Sequence, residues 1–420
     1  MKRIQIFIYL SLLLACDSKK PDIIIESKND GEVQKDEKNI EGAPDKASEM
    51  DLPLVIQEKK SNSQLPKISF ERLEFTIDTL VIDSGEELVN LPFGLSRSSL
   101  SKDKSRLYAL HPSLGTLYIF DLKGKRLQEL VKFEKDGPNS IPPLVWYFQL
   151  LEGGKFLMSD YGRIGIYDSK GAKLETISLS PKEFSQLTLG QEITLFHQLQ
   201  YHSFYQKIFT LPTDSEGEKI SIAIYEKISG KTQVVPLPNF ESLTRFDLVY
   251  KEGINSAVAN MAEMTLVLEK NRILVYSEGC GNIYTYDIAS GELAFTSPDH
   301  KLVPKQKDLP PTRSFTTLKQ FEFAYHNLLP QIAFGDLIYD DSRQIYFRFG
   351  SILKPGHNYD PTFSKKVFLF GYDKDFNLLG ETEIKKLNQV PQFPFFKDGK
   401  LWSYVNVNDE LGFAVMEFKF

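Results

Sequence analysis

The sequence predicts an all-β fold, and within that class a six-bladed β-propeller whose N-terminal strand completes the last blade and closes the ring. Two observations carry this: a hairpin phrase that recurs along the chain, and the lack of any long apolar run at helical period. The phrase first appears as Leu117-Tyr118-Ile119-Phe120-Asp121 followed by Lys123-Gly124-Lys125. It returns at Ile164–Asp168, Ile222–Glu226 and Ile283–Asp287, with a looser copy at Val367–Asp373. Each copy is an alternating apolar strand, an acid at its end, and a turn that usually contains glycine. The acid can accept backbone N–H bonds across the reversal, and glycine takes the positive-φ position.

A further strand precedes each hairpin, at Arg106–Leu110, Lys155–Ser159, Lys207–Leu211, Arg272–Tyr276, Gln344–Phe349 and Leu401–Val405. Six units result, the last running through Gly412 to Phe418. Their turns fall roughly 50 to 60 residues apart through the first four copies, the spacing of four-stranded propeller units. The interval widens between Asp299 and Asp340, so seven blades is the alternative count. Leu73, Phe75 and Ile77 alternate with polar residues, which makes 70–83 a strand lying ahead of the first full unit. The best helical stretch is Lys182 to Gln191.

The chain begins differently. Met1-Lys2-Arg3 leads into an apolar run, Ile4 to Ala15, that ends at Cys16. A basic start, a short apolar stretch and small residues at a cut site describe a secretory signal over residues 1–15. A run of 12 residues is far short of the roughly 20 a membrane-spanning helix needs. Residues 16–69 contain no aromatic side chain after Cys16 and are rich in Lys, Glu, Asp, Ser and Asn. Such a segment cannot bury enough apolar surface to offset the entropy of ordering, so it reads as a disordered tether. A flexible chain of about 50 residues spans about 40 Å. Residues 70–420 form the β domain.

Leu13-Leu14-Ala15-Cys16 resembles the lipobox of bacterial lipoproteins. That resemblance implies lipid attachment at Cys16 and a place in the cell envelope, on the periplasmic face or the cell surface. The whole arrangement, with Leu117–Asp121, Phe133–Asn139 and Ile338-Tyr339-Asp340, resembles the lipoprotein family catalogued as domain of unknown function 4221. That family is similar to six-bladed propellers of the NHL and TolB-like kind. The resemblance covers residues 70–420, and its motifs are structural, so it implies a fold and no activity.

Direct signs of chemistry are sparse. The six histidines show no metal-ligand spacing, and no Gly-x-Ser-x-Gly elbow or phosphate loop occurs. With Cys16 lipidated, Cys280 has no intrachain partner and reads as a small buried residue. Arg163, Arg313 and Arg348 lie near aromatics, Tyr161 among them, and form a candidate face for an acidic or sugar ligand. Removing residues 1–15 takes the formal charge from −6 to −8, and no basic stripe is present, which excludes nucleic acid as a partner. The expectation is a monomeric, lipid-anchored envelope module that binds a protein, peptide or glycan and needs no cofactor. The alternative is an envelope hydrolase or lyase using a central channel with calcium, for which Glu134, Asn139, Asn260 and Asn282 are the residues to inspect.

Overall fold

The computed structural model describes residues 6–7, 69–160, 163–179, 193–194, 198–214, 219–253, 255–354 and 364–420. Cys16, Tyr161, His197, His357, the stretch 182–191, most of the signal segment and all but the end of the tether lie outside the described residues.

Six sheets share one plan of four antiparallel strands, in chain order in five of them, while the sixth takes its outer strand from the beginning of the body. Sheet I holds Ser98–Leu100, Arg106–His111, Thr116–Asp121 and Arg126–Lys132. Sheet II holds Tyr147–Leu150, Phe156–Ser159, Arg163–Tyr167 and Lys173–Ser178. Sheet III holds Leu199–His202, Lys207–Thr210, Ser221–Glu226 and Lys231–Pro236. Sheet IV holds Met264–Glu269, Arg272–Ser277, Cys280–Asp287 and Leu293–Thr296, and sheet V Ala333–Asp340, Ile345–Leu353, Lys365–Tyr372 and Leu378–Glu383. Sheet VI takes Gln392–Lys397, Lys400–Val407 and Glu410–Lys419 from the chain's end and Glu74–Val81 from its beginning, which pairs from Glu74↔Lys419 to Val81↔Gly412.

The repeated turns work as their chemistry dictates. Asp121 Oδ1 accepts from the N–H groups of Lys123 and Gly124, each at 2.9 Å. Asp168, Asp287 and Asp373 do the same for the turns that follow them, at 2.8–3.0 Å. A carboxylate at the end of the third strand therefore takes up the donors that the reversal would leave unpaired.

The strand pairing corrects the expected six-bladed propeller. Seven four-stranded sheets are present, and no ladder of hydrogen bonds among the described residues runs from one of them into another, so no closed sheet or closed ring follows from the pairing. Nor does the alternative of seven blades hold, because the seventh sheet is no copy of the others. It pairs Asp247–Glu252 antiparallel with Asn255–Asn260 and parallel with Ser314–Phe315, and Ile6–Phe7 pairs with the outer side of Asn255–Asn260. The reason is local. The repeated pattern marks strands joined by glycine turns, whereas the parallel partner here arrives more than 50 residues later and carries no hairpin signal.

This mixed sheet is covered by helix α1, Leu318–Leu328, whose Thr317 cap accepts the Gln320 N–H at 3.4 Å. Phe321, Ala324, Tyr325 and Leu328 form its buried face, and Phe321 meets the Tyr250 ring at 6.2 Å. The body's N-terminal edge is pinned by Phe70, 3 % exposed. Its ring lies so close to Gly371 and Gly380 that a methyl on either would stand 2.2–2.3 Å from it. Only glycine permits that approach.

Candidate functional site

The regular plan has a consequence at one end of the strands. In sheets I to VI the turns between first and second strands all border a single cavity of about 1200 Å³. They lie within residues 102–104, 150–152, 203–205, 269–271, 340–342 and 397–399. Each turn needs a left-handed residue to close, and in five of the six that residue carries a side chain: Lys104, Gln206, Lys270, Gln344 and Asp398. Only the turn of sheet II uses glycine alone, at Gly153 and Gly154. Left-handed backbone is costly for residues with a Cβ and collects at functional sites.

The first strands are tied across sheet boundaries by side chains. The Gln149 amide bonds the Tyr201 backbone in both directions, at 2.9 and 3.0 Å. Gln200 donates to Leu266 O at 3.2 Å, and Ser99 Oγ accepts from Leu150 N at 3.3 Å. These polar groups do between sheets what ladders do within them.

Charges around the cavity are matched in pairs. Lys104 reaches Asp341, 237 positions away in sequence, at 2.7 Å. Lys397 pairs with Asp398 at 2.6 Å and Arg272 with Glu269 at 2.9 Å. Asp340, 1 % exposed, pairs with Arg343, whose guanidinium also donates to Gly399 O and Phe418 O and so clasps sheet V to sheet VI. The hydroxyls of Ser101 and Ser105 hold the Asp103 carboxyl down to about 2. Burial works against the Arg272 charge, but Glu269 and Tyr346 more than restore it, so its pKa is raised.

One wall is aromatic. Phe204 is 78 % exposed at the tip of its turn. Tyr205 meets it edge-on at 5.1 Å, and the His202 ring lies 4.8 Å from Tyr205. His202 Nδ1 accepts from the Tyr205 N–H at 3.4 Å while Nε2 lies 3.3 Å from Asn271 Oδ1. Both contacts are met by the neutral Nε2–H tautomer. Across the same wall, Lys270 sits 5.1 Å over the Tyr339 ring.

The arginines picked out from sequence do not assemble. Arg163 lies on sheet II, paired with Asp160 at 3.3 Å. Arg313 stands beside the mixed sheet, where its carbonyl accepts from Val249 N at 2.7 Å. Arg348 is 0 % exposed and donates to Gly335 O at 2.7 Å, Ser277 O at 2.8 Å, and the carbonyls of Cys280 and Gly281. It lies between the Tyr276 and Phe334 rings at 5.1 and 5.0 Å, where it joins sheets IV and V and meets no solvent. Cys280 is free and 1 % exposed, and burial pushes its thiol up, away from the reactive thiolate. No group of three His, Cys, Asp or Glu side chains placed to hold a metal occurs among the described residues. Of the calcium candidates, Asn260 uses its Oδ1 to accept from Ala262 N at 2.9 Å.

The cavity itself escaped the sequence reading, although its position was implicit. Its turns stand directly before the six strands that the pattern places ahead of each hairpin.

The DUF4221 family, a domain of unknown function, matches residues 69–383. A crystal structure of a DUF4221 member from Bacteroides vulgatus ATCC 8482 superposes with a TM-score of 0.59 at 15 % identity, over 83 % of this chain and 98 % of that one. A candidate exported protein from Bacteroides fragilis NCTC 9343 follows at 0.48 and 10 %, over 82 % and 96 %. No curated protein matches the chain. The first likeness is one of fold. Among the described residues no helix is long and apolar enough to cross a membrane.

Proposed function

We propose a function for a chain that belongs to the DUF4221 family: it is a lipid-anchored binding module of the cell envelope, and the six-turn cavity is its ligand site. The single observation that carries this is the convergence of turns from six separate sheets on one cavity lined by aromatic and polar side chains. A rigid scaffold presenting loops to a concave surface is the usual construction of a binding site.

Chain topology adds support. The turn at 398–399 opens on the cavity, the strand Lys400–Val407 runs away from it, and Glu410–Lys419 returns. Lys419 pairs with Glu74, so the body begins on the cavity side.

The test uses the full chain expressed with its own N-terminus. A photo-crosslinking residue at Ser203 should capture an envelope component, and one at Lys231, on the outer strand of sheet III, should not. Equal labelling at both positions, or none at either, refutes the cavity as the ligand site. Fatty-acid labelling should vanish in Cys16→Ser. If labelling persists, the anchor is elsewhere.

A further inference from the structure

We infer that the cavity takes a neutral saccharide, stacked on Phe204 and held by hydrogen bonds from Asn271 and its neighbours. This rests on the cavity being the ligand site and names the chemical class that fits it.

Electrostatics excludes the obvious charged ligands. Four lysines and six carboxylates line the cavity. Most are already committed: Lys104 to Asp341, Lys397 to Asp398, Glu269 to Arg272, Asp340 to Arg343, and Asp103 to two serine hydroxyls. Lys102, Lys270 and Glu152 make none of these pairs and stand on three different turns, so an anion meets no cluster of cations and a cation no cluster of acids. Neither sign of charge finds a concentrated field to steer it.

What the paired charges leave available is a flat ring and amide chemistry. An exposed phenylalanine keeps apolar surface in water, and stacking on the apolar face of a ligand would release that hydration. Phe204 is 78 % exposed, yet it is fixed from behind by Tyr205 at 5.1 Å. The oxygen of the Asn271 amide lies 3.3 Å from His202 Nε2, and its NH₂ group is a donor on the cavity wall. A pyranose offers the complement, with an apolar face of C–H groups for the ring and hydroxyls at its edge for the amide. At about 1200 Å³ the cavity is larger than sites for drug-sized ligands, and several sugar units would fill it.

The experiment measures binding of the full, detergent-solubilised protein to maltohexaose, cellohexaose, xylohexaose and mannohexaose by calorimetry. Hydrogen exchange of the six turns is followed in parallel, with these sugars and with a total envelope extract. Binding by at least one hexaose is expected, nearly unchanged between 50 and 500 mM salt because no charges are neutralised. Phe204→Ala should weaken it about tenfold. Since Phe204 is exposed, that variant should melt like the parent, and Asn271→Ala provides a second variant on the same wall. If the extract protects the turns while every hexaose fails, the saccharide is wrong and the site stands. If neither protects them, both fall. Binding that drops steeply with salt, or survives Phe204→Ala unchanged, also overturns the inference.

Discussion

The six regular sheets and the mixed sheet solve one problem, burial of a four-stranded sheet's apolar faces, by different means. Sheets I to V are assembled from neighbours in sequence, and in four of them a carboxylate closes the last reversal, at Asp121, Asp168, Asp287 and Asp373; sheet VI alone among the regular sheets borrows its outer strand, Glu74–Val81, from the other end of the chain. The mixed sheet draws a parallel strand from Ser314–Phe315 and a helical lid from 318–328, both far along the chain from Asp247–Asn260. Local turn chemistry thus dictates the three hairpin-linked strands of every regular sheet, whereas the mixed sheet and the outer strand of sheet VI exist only once distant segments have packed. The contrast also separates roles: the regular sheets supply all six turns of the cavity, and the mixed sheet supplies none.

The sharpest test of how the regular sheets are held to each other is Arg348→Ala. It should lower stability by about 3–5 kcal/mol in urea unfolding, since it leaves a void and several buried carbonyls without donors. A loss below about 1 kcal/mol would show that backbone packing alone joins sheets IV and V.

Phe321→Ala, which strips the main contact of α1, should cost about 2–4 kcal/mol. Its signature is local: amide exchange should accelerate in Asp247–Asn260 while the regular sheets keep their protection. Uniform acceleration would make the mixed sheet part of one cooperative unit and break the comparison.

A smaller effect comes from Asp247 at the start of the mixed sheet. Burial raises its carboxyl to about 6, against the pull of Arg313. Its folded pKa lies above its unfolded value, so ionising it opposes folding. The penalty is absent below about pH 4, grows as pH rises through the window between the two values, and is complete above about pH 6. Asp247→Asn should therefore stabilise at pH 7.5 by about 1–2 kcal/mol and make no difference at pH 3.5, read as paired thermal melts. An equal shift at both pH values would mean that the side chain acts through packing.

The least effect is expected from Lys104→Ala. The pair with Asp341 is partly exposed, so stability should fall by less than about 1 kcal/mol. A larger loss would mean that the cavity turns themselves hold the six sheets together.

Much of this could be read from the chain, and the failures are instructive. The turn acids at Asp121 and Asp168 were legible because an Asp two or three residues before its donors needs no information from elsewhere. The left-handed residues of the cavity turns were not, since Lys104, Gln206 and Lys270 carry no glycine signal. Arg348 was misread as a ligand contact for a related reason. An arginine among aromatics looks alike on a binding face and between two buried sheets, and only its four carbonyl partners distinguish the cases.

The sequence by itself determined the β class, the hairpins and the strand that opens the body, because alternation and turn chemistry act over a few residues. Tertiary structure alone decided the mixed sheet, the burial of Arg348 and the cavity. Each of these depends on groups tens to hundreds of positions apart, whose meeting is governed by how whole sheets pack and by no local preference along the chain.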